Sequence, residues 1–70
     1  MEMQFVDSRA MDQMGYDPDN QELHIVFKGC RRCIYSQVPP EIWDGLQNAP
    51  SEGTYLTGVV KANGYPFRYD

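Results

Sequence analysis

From Leu23 to Phe27 the chain alternates apolar and mixed positions: Leu23, Ile25 and Phe27 against His24, Val26 and Lys28. A period of two is the signature of a half-buried strand, because successive side chains leave the backbone on opposite faces. Gly29 punctuates the run, and Cys33 and Tyr35 share one face of the returning segment. This predicts an antiparallel hairpin. Val38-Pro39-Pro40 then opens a helix, since proline suits a first turn whose amides lack partners. Ile42, Leu46 and Ala49 recur at helical spacing, Trp43 widens the apolar stripe, and Pro50 ends it.

Ser51 is a good N-cap for a second helix, in which Tyr55, Leu56, Val59 and Val60 form the apolar stripe. Gly53 and Gly58 weaken that helix by up to ~1 kcal/mol each, so packing must hold it. Asn63-Gly64 is a helix stop, and Tyr65-Pro66-Phe67-Arg68-Tyr69 reads as an extended aromatic tail. Upstream, Gln4-Phe5-Val6 is a short strand, Asp7 to Ala10 a polar bend, and Met11, Met14 and Tyr16 mark a second strand. Asp17-Pro18-Asp19-Asn20 is a turn, with proline presetting φ and the Asx side chains bonding back to the main chain. Strands followed by helices, without β-α alternation, indicate an α+β fold. The expectation is one domain over residues 1–70, with a small antiparallel sheet of three to four strands followed by two short α-helices.

A chain of 70 residues buries only roughly 60% of the surface its unfolded form exposes, so the stability margin is thin. Oligomerisation is a natural way to add buried area, and a homo-oligomer is an expected partner. The net charge of −4 is unevenly spread. Residues 1–27 carry six acids and only Arg9 as a base, whereas residues 28–70 carry five bases against four acids. An acidic whole argues against non-specific binding to DNA or RNA, which needs many phosphate contacts. The Arg31-Arg32 tip is either a solvated charged turn or a local basic site. No apolar run approaches the ~20 residues that span a bilayer, and the opening MEMQFVDSR lacks the pattern of a signal peptide. A cytoplasmic protein without a membrane partner is expected, with reduced cysteines.

Cys30-Arg-Arg-Cys33 has metal-ligand spacing, but a structural zinc site needs four ligands and there is no second C-x-x-C. Redox C-x-x-C pairs sit at helix starts, whereas this one spans a hairpin loop. Two reduced cysteines in a turn and strand are the simpler reading, with a zinc clip between subunits or a redox disulfide as alternatives. Asp17, Asp19 and Glu22 lack the central glycine and distal glutamate of a calcium loop, so a turn explains them better. Ser51-x-Gly53 lacks the flanking glycine of a nucleophile elbow. His24, the single histidine, has no nucleophile at a recognisable spacing and is expected at an exposed or edge position. No cofactor and no catalytic residue is assigned, and the chain is not expected to be an enzyme.

The feature with functional promise is the proximity of tyrosines (Tyr35, Tyr55, Tyr65, Tyr69) to bases (Arg31, Arg32, Lys61, Arg68). Aromatic faces stack nucleobases and guanidinium groups fork onto phosphates, although aromatics in so small a domain also serve as core. Phe67 and Tyr69, beside Arg68, are the best candidates for exposed recognition.

Gly29…Cys33-x-Tyr35-x-x-Val38-Pro39, then Ala49-x-Ser51-x-Gly53-x-Tyr55, then a basic-aromatic ending resembles the KTSC domain family. Ser8, Gly15-Tyr16-Asp17 and Leu23-x-Ile25-x-Phe27 fit the family's opening, so the resemblance covers nearly the whole chain. That small domain occurs alone in bacterial and phage proteins and at the C-terminus of some lysyl-tRNA synthetases, an association that implies RNA binding. The family centres on a Tyr-x-Tyr pair, and here Cys33 stands at the first tyrosine position while Tyr35 is retained. If both aromatics form a stacking platform in relatives, this chain lacks half of it.

The functional expectation is a non-enzymatic binding module for a nucleotide-type ligand, either a short RNA element or a small free nucleotide. In a phage setting the latter would mean sequestration of a signalling nucleotide. The expected ligand-binding residues are Arg31, Arg32 and Arg68 for phosphate, and Tyr35, Tyr55 or Tyr69 for the base. The alternative is a protein-interaction or self-assembly module using a sheet edge or the aromatic tail.

Overall fold

A computed structural model describes residues 2–29 and 31–70. Five strands form one antiparallel sheet in the order β1-β2-β3-β4-β5: β1 (Met3–Phe5), β2 (Met11–Asp17), β3 (Glu22–Phe27), β4 (Arg31–Tyr35) and β5 (Phe67–Tyr69). The helices lie between β4 and β5 in sequence: α1 (Pro40–Asn48), then α2 (Glu52–Tyr55), which runs on as a π-helical segment Leu56–Lys61. The α+β architecture agrees with the sequence. The strand count is five rather than three to four, because the aromatic tail pairs with β4 as a strand of its own.

Laterally paired residues of an antiparallel sheet share a face, so the register sorts the side chains. One face carries Met14, Ile25, Cys33 and Tyr69 in one row, and Tyr16, Leu23, Tyr35 and Phe67 in the next. The helices cover this face with Leu46, Leu56 and Val60, all buried, and Ile42 and Trp43 pack against the same core. Trp43 stacks on Tyr16, with ring centroids 6.0 Å apart and planes 13° from parallel.

The link from sheet to α1 is pinned at Val38. Its N–H donates to the Gln21 carbonyl at 2.9 Å, and its carbonyl accepts from the buried Tyr16 hydroxyl at 2.5 Å. Gln21 and Gln37 both adopt left-handed backbone (φ 53° and 60°), a conformation that costs a non-glycine residue about 1 kcal/mol or more. These two hydrogen bonds at Val38 help to hold it. The proline reading of α1 holds, with Pro39 at the N-cap and Pro40 the first helical residue. Ser51 caps α2, its hydroxyl accepting from the Thr54 N–H at 3.4 Å.

The second helix departs from expectation. Only Leu56 and Val60 of its stripe are fully buried, and Tyr55 and Val59 are half-buried. The π-helical geometry widens each turn and swings part of the stripe off the core.

Among the described residues no helix lies over the opposite face of the sheet, yet Ile34 there is buried, and so is His24 at 8% exposure. Arg68, the β5 neighbour of Ile34, reaches across β4 to Glu22 on β3, Nη2 to Oε2 3.1 Å. Glu22 Oε1 lies 3.6 Å from His24 Nε2. Glu22 thus ties Arg68 of β5 to His24 of β3 on this face. His24 is therefore not the exposed or edge residue that alternation predicts: it sits on the central strand.

Candidate functional site

At the β5 edge of the covered face the helical layer stops short of the sheet. The π-helical segment ends at Lys61, and the chain turns through Ala62–Gly64, with Asn63 donating from its backbone and side chain to the Val59 carbonyl. Gly64 takes φ +70°, a left-handed position that a side chain would strain. Tyr65 and Pro66 lead back to the sheet, and the gap left beneath them is a pocket of about 380 Å³. Phe27, Tyr35, Phe67 and Tyr69 line it from the sheet, and Lys61, Gly64 and Tyr65 from the helical side.

The three sheet-edge rings lean on one another. Tyr35 and Phe67 have centroids 5.7 Å apart at 46°, and Phe67 and Tyr69 are 5.8 Å apart at 80°. Tyr35 is buried, whereas Phe67 and Tyr69 are each 58% exposed. Two cations flank the rings: the Arg31 guanidinium carbon lies 4.9 Å from the centre of the Tyr69 ring, and Lys61 Nζ 5.8 Å from that of Phe27. No carboxylate lines the pocket among the described residues. Beneath it, burial pushes the Cys33 thiol above its ordinary pKa, and burial followed by the neighbouring Cys33 pushes the Tyr35 hydroxyl far up. Both groups stay protonated at neutral pH. The phenol can donate a hydrogen bond but is a poor base, and the thiol is a poor nucleophile.

The residues picked out from the sequence divide into three places. Tyr35 and Tyr69 line the pocket, and Arg31 lies against the Tyr69 ring without lining it. Arg32 and Arg68 stand on the other face, since their strand partners are Val26 and Ile34. Tyr55 packs in the space left by Gly45 of α1, where a Cβ would overlap its hydroxyl and come 2.7 Å from Cζ. The pocket also includes Lys61 and Tyr65, part of the tyrosine–base cluster, and Phe67 of the tail. Phe27, read from the sequence only as a strand residue, completes it.

The acidic turn is a turn. Asp17 accepts from the Asp19 and Asn20 backbone N–H groups and from the Asn20 side chain, and the Asn20 side-chain bond leads in lowering its carboxyl pKa. Among the described residues no three His, Cys, Asp or Glu side chains are grouped to hold a metal. The Cys30 half of the C-x-x-C pair lies outside the described residues; Cys33 is a buried free thiol. Among the described residues no helix is long and apolar enough to cross a membrane.

Residues 7–65 match the sequence pattern of the KTSC domain. The chain belongs to the KTSC domain family. Its KTSC fold superposes on the crystal structure of a KTSC domain protein from Yersinia pestis with a TM-score of 0.91 and 32% identity, over 99% of this chain and 96% of that one. A protein of Tsukamurella paurometabola is 44% identical over 59 residues, 84% of this chain and 88% of its own length. A protein of Stutzerimonas stutzeri is 33% identical over 60 residues, 86% of this chain and 84% of its own. Both relatives have nearly the length of this KTSC chain.

Proposed function

We propose that this KTSC domain is a non-enzymatic binding module for a nucleotide-type ligand, a short RNA element or a small free nucleotide. The observation that carries the reading is the pocket beneath β5, where aromatic walls stand beside two cations on a chain whose overall charge is negative. A base gains by stacking on exposed rings, and a phosphate gains by charge-assisted bonding to Lys61 and Arg31. Two cations suffice for a small ligand, whereas the net charge disfavours a long nucleic-acid track. In a phage setting such capture would serve sequestration of a signalling nucleotide.

Native mass spectrometry of the freshly purified protein, compared with the same sample denatured, tests the reading. An added mass of a few hundred daltons per subunit that fragments as a nucleotide supports it. A bare subunit that also stays bare after incubation with a mixture of ribonucleotides and short RNAs counts against it.

A second reading rests on β5 as an edge strand with two half-exposed rings: self-assembly or protein binding along that edge. The same spectra decide it, since a bare oligomer that dissociates when residues 65–70 are deleted favours the edge over the pocket.

A further inference from the structure

Building on the nucleotide reading, we infer that the β5 pocket takes one nucleotide unit, a single base with its own phosphate, and does not track successive bases along a strand. Three observations converge on this. The rings are the first. Proteins that hold single strands offer faces on which successive bases stack, and stacked bases lie nearly parallel. Tyr35, Phe67 and Tyr69 instead sit at 46° and 80° to one another. Such rings form the corner of a cage, and a corner encloses one planar group.

The second is capacity. At about 380 Å³ the cavity lies near the lower end of the roughly 300–1,000 Å³ range of small-ligand sites. Gly64 and Tyr65 line its helical side and leave less room for a second base there. The third is charge. Lys61 and Arg31 flank the rings, and no carboxylate among the described residues lines the pocket. Aromatic cages also capture ammonium groups, but Lys61 in the lining and Arg31 against the Tyr69 ring repel them. The same cations match the dianion of a monophosphate. Arg32 and Arg68, the bases that could have extended a phosphate track, face the other side of the sheet.

The shared chemistry is a nucleoside monophosphate, either free or as the phosphate-bearing end of a strand. The experiment is an amide-resolved NMR titration of the full chain with AMP, GMP, CMP and UMP, their nucleosides, and ten-nucleotide RNAs ending in hydroxyls or in a terminal phosphate. At least one monophosphate should shift the amides of Phe27, Lys61, Gly64 and Tyr69, and bind on the order of tenfold tighter than its nucleoside, the gain expected of a charge-assisted contact. Lys61→Gln together with Arg31→Gln should erase that difference while leaving the spectrum folded. A phosphate-ended RNA binding like the free monophosphate would identify strand ends as a source; its failure to bind would leave the free nucleotide. If the hydroxyl-ended RNA binds at these amides tenfold tighter than every monophosphate, the single-unit inference is overturned and the nucleotide reading stands. If no nucleotide or RNA shifts these amides, both fall.

Discussion

Replacing Gly45 with alanine sets two opposed effects against each other. In an exposed helix the change stabilises by about 1 kcal/mol, because glycine costs more backbone entropy. Gly45 lies inside α1, and the three atoms nearest to an added Cβ all belong to Tyr55: its hydroxyl oxygen, then Cζ at 2.7 Å and Cε2 at 3.1 Å. The whole ring must move, so the upper part of the ~1–3 kcal/mol range for overpacking applies. Set against the propensity gain, the net is a destabilisation of about 1–2 kcal/mol. For a domain of this size that is a fall of roughly 4–16 °C in Tm. Thermal and urea unfolding, followed by circular dichroism and by Trp43 fluorescence, measure it. In a Tyr55→Ala background the obstruction is gone, and Gly45→Ala should stabilise by about 1 kcal/mol. The double-mutant cycle should therefore show a coupling of about 2–3 kcal/mol. A Gly45→Ala protein at least as stable as its parent, or an equal loss in both backgrounds, would refute the packing argument.

Tyr16→Phe removes the donor to the Val38 carbonyl and leaves that buried oxygen unpaired, at a cost of about 1–3 kcal/mol. The urea midpoint should fall with an unchanged slope, and an unmoved midpoint would show that the bond does not matter. Burial raises the pKa of Cys33, Tyr35 and Tyr16 above their unfolded values. The unfolded chain then loses these protons first, so their contribution is complete below about pH 8.5 and declines as pH rises. Tm should fall steadily above that pH, less steeply beyond about pH 10 in Tyr35→Phe; a Tm flat to pH 11 would contradict the assigned shifts.

How far the sequence could be read depended on what each signal encodes. Alternation in Leu23–Phe27 located β3, and the Pro and Ser signals located both helix starts, because those rules act through neighbouring residues. β5 is three residues long, too short for its period to announce a strand, and its pairing with β4 is a long-range fact. The spacing of Leu56 and Val60 serves a π-helical turn as well as an α-helical one. His24 was misplaced because its burial follows from β3 lying at the centre of the sheet, which pairing with distant segments decides. One part of the pocket was legible and missed. Consecutive strand residues face opposite ways, so Arg31 and Arg32 could not serve one site, nor could Arg68 join Phe67 and Tyr69. Lys61 and Phe27 meet only through the fold, and no local rule pairs them.

The position of β5 bears on how ligands should be sought. Phe67 and Tyr69 belong to the last strand, and an affinity tag fused after Asp70 would start one residue beyond a wall of the pocket. A tag placed ahead of β1 emerges at the far edge of the sheet, four strand spacings away, about 19 Å at ~4.8 Å each. Immobilising the protein by its N-terminal end leaves the pocket open to a metabolite or RNA library. The same screen through the C-terminal end risks a negative that reports the tether rather than the protein.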